Sequence, residues 1–167
     1  MVINYANIIK KQVYDLCSMS FSNLLLEKES KSYSGCSYTL DNIKIISRTA
    51  KITPTKTGQF VTFWKRNGEG VTEPYSEFDA FDFLVINVFK DDNLGQFVFP
   101  KSVLISKGIL SSIDKKEGKR GFRIYAPWDV VASKQALKTQ QWQCEYFLEI
   151  PLNRVVNKSR VQELYSS

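Results

Sequence analysis

The chain has 167 residues, 43% of them hydrophobic and 13% aromatic, so it can bury one substantial core and is not disordered throughout. Its net charge of +6 suits a nucleic acid, a nucleotide or an anionic membrane surface, but it is also common in domains that bind none of these. The absence of histidine excludes catalysis by a Ser–His–Asp or Cys–His arrangement.

The first half of the chain predicts one helix followed by strands. Residues 4–17 place apolar side chains at helical spacing. From 36 to 52 the pattern becomes strand-like on both sides of a turn at Asp41 and Asn42. The segment 53–55 interrupts this pattern, and 58–65 is rich in β-branched and aromatic residues, which predicts a further strand.

The second half predicts a buried hairpin and further helices. Residues 78–89 form the most apolar segment, which predicts a central strand buried on both faces. A turn at 91–95, with Gly95 supplying a positive φ, returns the chain along 96–99. The next elements are predicted as helix, strand and helix at 101–107, 122–126 and 133–147.

The order of these elements indicates the fold class. Strands cluster in the middle of the chain and helices near its ends, which predicts an α+β fold. Ser133 is a suitable N-cap for the helix that follows it, and the segment after Pro151 is a candidate last helix. Because no linker or repeat interrupts residues 1–167, we expect a single domain with a central mixed or antiparallel sheet flanked by helices.

Cysteine usage and hydropathy limit the chemistry and the compartment. Cys17, Cys36 and Cys144 are far apart and form no CxxC pair, so we expect neither a zinc site nor a disulfide. The N-terminus lacks an apolar signal segment, and no run approaches the roughly 18 apolar residues of a membrane span. We therefore expect a cytoplasmic protein without a membrane partner. Any catalysis has to use carboxylates, Lys, Arg, Tyr or a metal held by oxygen ligands.

A basic stretch occupies the predicted strands between Asn42 and Gly68, where the chain has no acidic residue. Cations alternate there with hydroxyl, amide and indole side chains, which suit phosphate contacts and base stacking. We interpret the stretch as a face that binds nucleic acid or a phosphorylated nucleotide, and an ordinary solvated sheet face is the alternative. The predicted binding residues are Arg48, Lys51, Thr53, Lys56, Gln59, Thr62, Trp64, Lys65 and Arg66.

A second polar and aromatic concentration runs from 123 to 142. Arg123 and Tyr125 are candidate phosphate and base contacts. Lys134 and Lys138 are four residues apart and therefore share one helical face, where a binding role and a merely solvated role are equally consistent with the pattern. In the alternative to a binding role, the two tryptophans of this region are core anchors and its dense glutamines only solvate the helix, and for Trp142 this alternative fits better.

The chain resembles MepB-like proteins in two long blocks, SRTAKITPTKTGQFVTFWKR at 47–66 and FRIYAPWDVVASKQALKTQQWQCEYF at 122–147. These are small bacterial proteins, first named for a gene beside a multidrug efflux pump. With FDFLVINVF and GQFVFPKSVL added, the resemblance covers most of the chain. Because the family name reflects gene neighbourhood, it implies no particular chemistry and no transport role.

The order of elements also resembles a PD-(D/E)XK nuclease core, in which Asp begins a buried strand and (D/E)-x-K lies on the hairpin return. Asp82 opens the buried strand and Lys101 follows the return, but Gln96 stands five residues before Lys101, so the motif is broken. The resemblance implies a Mg²⁺ or Mn²⁺ ion at Asp82 and a Lys101 that polarises water, with no organic cofactor. Taken alone, Asp82 fits a strand-entry residue better. The candidate helper carboxylates are Glu27, Glu29 and Asp79.

Three functions are consistent with these patterns. The first is a metal-dependent hydrolase of phosphodiesters or nucleotides that uses Asp82 and Lys101. The second is a non-catalytic nucleic-acid-binding module that uses the basic 48–66 face, and the third is a regulatory interaction domain whose charge is incidental. Cleavage that requires Mg²⁺ separates the first from the second, and a steep salt dependence of binding separates the second from the third. Oligomeric state stays open.

Overall fold

A computed structural model describes residues 5–114 and 117–166 of the chain. A π-helical segment, Lys10–Asp15, continues the first helix. None of the helices in the described ranges is long and apolar enough to cross a membrane. The α-helices of these ranges are α1 (Tyr5–Ile9), α2 (Lys101–Ser106), α3 (Lys134–Cys144) and α4 (Lys158–Tyr165).

The strands form three sheets. Those of the described ranges are β1 (Phe21–Leu26), β2 (Cys36–Leu40), β3 (Ile43–Thr49), β4 (Lys51–Ile52), β5 (Gln59–Thr62), β6 (Trp64–Arg66), β7 (Thr72–Pro74), β8 (Phe83–Lys90), β9 (Asn93–Pro100), β10 (Gly121–Ile124) and β11 (Phe147–Glu149). The main sheet has the order β1-β2-β3-β8-β9-β11, a smaller one has the order β10-β5-β4, and β6 pairs with β7. Within the main sheet β3 and β8 are parallel and the other pairs antiparallel, which confirms the predicted α+β fold with a central mixed sheet.

Strand β8 divides the core into two layers. Its residues Phe83 and Val85 pack with α1 and α4, whereas Leu84 and Ile86 pack with the smaller sheet and α2. Successive side chains of a strand point to opposite faces, so a strand between two layers has to be apolar throughout. This confirms a central strand buried on both faces for the later part of the predicted segment 78–89. Its first part is wrong as strand, because Ser76 and Asp79 form a turn there and Phe78 is exposed, and the strand begins only at Phe83.

The β8–β9 hairpin pairs in register from Phe83 with Pro100 to Lys90 with Asn93. Asp91, at φ +55°, supplies the left-handed turn residue, so the assignment of this role to Gly95 is wrong. Gly95 lies inside β9, where an added Cβ would come within 2.3 Å of the Phe147 ring. The glycine is therefore a close-packing site between β9 and β11.

The helix predicted over 133–147 begins as expected, because the Ser133 side chain caps it and accepts a hydrogen bond from the Ala136 N–H at 3.1 Å. It ends earlier than predicted, at Cys144, and Phe147 already belongs to β11. The last helix starts at Lys158, with Asn157 as its N-cap. Strand β1 was not expected, because five of its six side chains are exposed and give no alternating pattern.

The cysteines are free thiols on separate elements. Burial raises the pKa of the Cys144 thiol to about 11, and the nearby Asp129 carboxylate acts in the same direction. The pKa of the Cys36 thiol is raised by burial as well. A thiol with a raised pKa is a poor nucleophile at neutral pH, so these cysteines fit packing positions rather than a reactive site.

Candidate functional site

A cleft of about 450 Å³ lies between the edge strand β10 and helix α3. Three cations line it, namely Lys107 after α2, Lys119 before β10, and Arg123 within β10. The aromatic side chains of Tyr125 and Trp142 lie on the same walls. No acidic side chain lines the cleft in the part of the chain that the structure describes, so its walls favour an anion.

Glutamines of α3 fix the helix against the edge of β10. The buried Gln143 side chain donates to the Arg123 carbonyl at 3.0 Å and accepts from the Tyr125 N–H at 2.8 Å. Gln140 donates to the carbonyls of Ala126 and Asp129, each at 2.8 Å. The alternative in which the glutamines only solvate the helix is therefore wrong for these two, because their amides complete the hydrogen bonding of neighbouring backbone groups.

Arg123 has no acidic partner within salt-bridge distance among the described residues. Its Nη1 donates to the Thr53 hydroxyl at 3.1 Å, Nη2 contacts the same hydroxyl, and its buried Nε has no hydrogen-bond partner there. Burial raises the pKa of Asp129, and this outweighs the lowering by the hydrogen bond from the Ala126 N–H and by the positive charges of Lys90 and Arg123. A guanidinium in this state has donors left for an external anion.

The segment 51–58 continues the basic surface beside Arg123. Lys51 pairs with Phe60 and Phe60 pairs with Arg123, so these side chains share one face of the smaller sheet. The Tyr125 ring lies on Gly58, where φ is +81° and an added Cβ would come within 2.7 Å of the ring. We call the following set the Arg123 surface: Lys51, Thr53, Lys56, Lys107, Lys119, Arg123 and Tyr125.

Arg48, by contrast, is buried, with 0% of its surface exposed. It forms a bidentate ion pair with Glu27, at 3.0 Å for Nη1–Oε1 and 2.7 Å for Nη2–Oε2. Its guanidinium also lies 5.9 Å from the centroid of the Phe63 ring. The placement of Arg48 on an exposed binding face is therefore wrong, because the side chain is enclosed and its charge is already paired.

Lys65 and Arg66 are also paired with carboxylates. Lys65 Nζ lies 2.7 Å from an Asp79 oxygen and 3.4 Å from a Glu73 oxygen, and Arg66 Nε lies 2.7 Å from a Glu29 oxygen. The hydrogen bond to Asp79 raises the pKa of Lys65. Burial raises the pKa of Asp79, but Lys65 and a backbone N–H outweigh it and hold the pKa below its usual range.

The other predicted binding residues are placed less favourably for a ligand. Gln59 is buried and donates to the Phe89 carbonyl at 3.1 Å. Thr62 and Trp64 are half-buried, and Arg66 lies 5.5 Å from the centroid of the Trp64 ring. Lys134 and Lys138 are exposed on α3 and do not line the cleft.

Asp82 and Lys101 lie together in a separate shallow depression of about 510 Å³. The Lys101 N–H donates to the Asp82 carbonyl at 3.0 Å, and the Asp82 carboxylate accepts from the Lys44 N–H at 2.8 Å. The Lys101 ammonium donates to the Asp79 carbonyl and lies 5.2 Å from the Phe81 ring centroid. The hairpin thus brings the two residues together, while backbone contacts hold both side chains.

The residues of this depression do not fit a Mg²⁺ or Mn²⁺ site. Asp82 is the one carboxylate among the described residues that line it. Within 5–114 and 117–166, no group of three or more His, Cys, Asp or Glu side chains assembles. Of the candidate helpers, Glu27, Glu29 and Asp79 are each in an ion pair with Arg or Lys. A hard divalent cation needs several oxygen ligands converging on one point, so we derive no step through such an ion.

Two cations of the cleft were missed by the sequence patterns. Lys107 follows the short helix α2, and Lys119 lies in the segment 115–121, which has the composition of an ordinary surface turn. Tertiary contacts bring them together, since the Lys119 N–H donates to the Ile109 carbonyl at 2.9 Å and Lys107 Nζ lies 5.3 Å from the Trp142 ring centroid of α3. The one usable signal was the density of Lys and Arg immediately before the strand that carries Arg123.

Comparison with known proteins identifies the family. A crystal structure of MepB is similar, with 34% identity, 92% of this chain and 99% of the other covered, and a TM-score of 0.77. A bacterial homing endonuclease is a distant match at 17% identity, 83% and 84% coverage, and a TM-score of 0.46. No curated protein matches. The MepB-like family model matches residues 27–149, and the chain belongs to the MepB-like family.

Proposed function

We propose that this protein binds nucleic acid, without cleaving it, through the Arg123 surface. The observation that carries the proposal is a cleft lined by Lys107, Lys119 and Arg123, with no acidic side chain among its described lining residues. The phosphate groups of a nucleic acid supply the negatively charged partners that these cations lack. A concave site also concentrates the electrostatic field of the charges on its walls. The N-terminal turn of α3, which lines the cleft, favours negative charge as well.

The distribution of ion pairs supports binding over incidental charge. Among the arginines of the described ranges, those other than Arg123 are each in an ion pair with a carboxylate, namely Arg48, Arg66, Arg120, Arg154 and Arg160. Arg123 has no such partner there, although pairing with a carboxylate would serve solubility equally well. A hydrolase at Asp82 is supported less well, since that depression offers one carboxylate and lies outside the cleft.

The test is the salt dependence of binding to fluorescent oligonucleotides. Lys107→Gln, Lys119→Gln and Arg123→Gln together should weaken binding and reduce the slope of log K against log salt by about 2, as expected for three lost phosphate contacts. The matched control removes the same charge from exposed positions outside the cleft, with Lys11→Gln, Lys28→Gln and Lys158→Gln.

The control should keep the wild-type slope, and both variants should keep the wild-type melting temperature. Equal loss of slope in the two variants would mean that net charge alone drives binding. A wild-type protein that binds no DNA or RNA at low salt would remove the proposal altogether.

A further inference from the structure

We infer that two copies of this protein associate through the edge strand β1, which pairs antiparallel with its own copy about a two-fold axis at Leu25. Strand β1 is one of the two outer strands of the main sheet, and β11 is the other. The inference is independent of the proposed function. It rests on the side chains, the backbone groups and the charge pattern of β1.

Strand β1 presents a row of leucines to solvent. Leu24, Leu25 and Leu26 are consecutive and are 46%, 67% and 78% exposed. Edge strands of monomeric proteins often carry charged residues or Pro, which discourage pairing with another chain. The sequence of β1, FSNLLL, has neither. An uncharged apolar edge of this kind favours pairing with a further strand.

The backbone of the leucines has hydrogen-bonding groups that face away from the sheet. The Glu27 N–H donates to the Gly35 carbonyl at 2.9 Å, so Glu27 faces β2. Because the groups of an antiparallel strand alternate between its two sides, those of Leu24 and Leu26 point away from β2. No strand lies beyond β1 in the described sheet, so these groups have no ladder partner there.

The other outer strand, β11, is protected by a side chain. Arg160 of α4 donates to the Phe147 carbonyl at 3.1 Å and to the Glu145 carbonyl at 2.8 Å. Pro151, which has no N–H to donate, follows two residues after the strand ends at Glu149. The main sheet therefore has one protected edge and one open edge, and the open edge is the one that carries the leucines.

A second copy of the chain fits this open edge. With the two-fold axis at Leu25, Leu24 of one copy lies opposite Leu26 of the other. The outward backbone groups of both copies then meet and form about four main-chain hydrogen bonds. In the same register Leu25 faces Leu25, so the cross-strand contacts at the centre are all between leucines. A self-complementary patch used by both copies is the general geometry of a two-fold dimer.

The charge pattern supports the antiparallel arrangement. Residues 16–26 are uncharged, whereas Glu27, Lys28 and Glu29 follow directly. About an axis at Leu25, these three positions face residues 23, 22 and 21 of the second copy, which are all uncharged. Parallel pairing in register would instead place each charge beside the same charge of the other copy, which is unfavourable.

The contact is small, so the dimer is weak and reversible. The pairing of β1 with β2 shifts register between Ser22 and Leu25, and Asn23 has a φ of +57°. Such a bulge bends the strand and confines regular pairing to the leucines that follow it. Stable interfaces bury roughly 800 Å² per partner, and a strip of three leucines offers less.

Association through β1 leaves the cleft between β10 and α3 open in both copies. Helix α3 packs on β9, where the ring centroids of Trp142 and Phe99 are 5.4 Å apart. In the sheet order, β2, β3 and β8 separate β9 from β1. A monomer and a dimer therefore offer the same Arg123 surface to a ligand.

The test is sedimentation velocity of the full chain, from low micromolar to several hundred micromolar protein. Wild-type protein should shift from monomer to dimer over this range. Leu25→Lys places two ammonium groups opposite each other at the axis and should weaken dimerisation at least about tenfold, since like charges across an interface repel. Leu152→Lys adds the same charge at a leucine that is 54% exposed outside β1, and should dimerise as wild type does.

A mixture of two variants tests the position of the axis. Leu25→Lys and Leu25→Glu should each be monomeric at concentrations at which wild type is dimeric. Mixing them should restore the dimer, because position 25 of one copy faces position 25 of the other. Since Leu25 is 67% exposed, both variants should keep the wild-type melting temperature.

Three results would overturn the inference: a wild-type protein that stays monomeric throughout, a dimer that survives Leu25→Lys, or a mixture of the two variants that stays monomeric. Oligonucleotide binding is compared at concentrations at which all variants are monomers, and Leu25→Lys should then bind as wild type does. The inference and the proposed function can therefore fail separately.

Discussion

The basic 48–66 stretch divides in the fold into two regions with opposite electrostatic states. Arg48, Lys65 and Arg66 are paired with carboxylates from other segments, and Arg48 is buried. Lys51 and Lys56 are exposed, and neither has a salt-bridge partner among the described residues. A stretch without acidic residues in the sequence can therefore still be paired in the fold, since its carboxylate partners come from distant segments of the chain.

The two regions also differ in their neighbours. The paired cations contact two loops. The loop after β1 contributes Glu27 and Glu29, and the loop before β8 contributes Asp79. The unpaired ones lie beside Arg123, where Lys51 contacts an aromatic ring instead, 4.4 Å from the Tyr33 centroid. The paired region therefore serves stability, and the unpaired region is available to a ligand.

The largest effect is expected at the buried ion pair. Glu27→Gln leaves the enclosed Arg48 guanidinium without its carboxylate, and losing one partner of a buried pair costs about 3 kcal/mol. Because 28% of the Glu27 side chain is exposed, solvent screens part of the charge. We therefore place the loss of stability at the lower end of the values typical of buried pairs. Urea unfolding followed by circular dichroism measures this difference in the free energy of unfolding.

The matched control for this prediction is Glu29→Gln. Its partner Arg66 is 45% exposed, so the pair is an ordinary surface ion pair worth at most about 1 kcal/mol. If the two variants lose the same small amount of stability, Arg48 does not depend on Glu27 and the paired region is not a stabilising one.

The next prediction contrasts the two regions in binding. Lys51→Gln with Lys56→Gln should reduce the slope of log K against log salt by about 1.4 for single strands, as expected for two lost phosphate contacts. Lys65→Gln with Arg66→Gln removes the same charge but should leave the slope unchanged, because those cations are already paired. A larger effect from the second pair would reverse the assignment of the two regions.

Much of the fold follows from sequence patterns. The buried β8–β9 hairpin, its neighbour β3 and the start of the capped helix α3 were predictable, because apolar runs and the N-cap residue act locally. Strand β1 was not predictable, since it is an exposed edge whose leucines do not alternate. The end of α3 was placed too late because no Gly or Pro marks it, and pairing of Phe147 with Phe97 decides it instead.

The site was predictable only in part. Arg123 and Tyr125 stand in a dense polar and aromatic block, and the structure places both at the cleft. The ion pairs of Arg48 and Lys65 were not predictable, because Glu27 and Asp79 are 21 and 14 residues away along the chain. Burial of a charge depends on such distant partners, so a local composition of cations says little about exposure.

A smaller effect is expected at Asp79. Its pKa is held below the usual carboxyl value, so the charged form stabilises the fold at neutral pH, and this stabilisation is lost as pH falls through the lowered pKa. Asp79→Asn should therefore lower the free energy of unfolding by about 1 kcal/mol at pH 7, a value discounted for partial exposure, and by progressively less below about pH 4.

Glu149→Gln, in an exposed pair with Arg154, serves as the control and should show little change in stability at either pH. A pH-independent loss for Asp79→Asn would show that the Lys65 pair does not depend on charge.

The smallest effect is expected at Asp82. In Asp82→Asn the amide oxygen can still accept the Lys44 N–H, so folding should survive, and the cleft lies elsewhere, so oligonucleotide binding should stay at the wild-type level. The measurement is incubation with single- and double-stranded DNA and RNA in Mg²⁺, in Mn²⁺ and in chelator, with Lys101→Gln as a companion variant.

A water nucleophile in a protein without histidine needs a metal or a lysine for activation, and Asp82 with Lys101 is the pair that the β8–β9 hairpin brings together. Metal-dependent cleavage that disappears in both variants would move the function to this depression, and cleavage that survives Asp82→Asn would exclude the nuclease-like arrangement while leaving the Arg123 surface as the binding site.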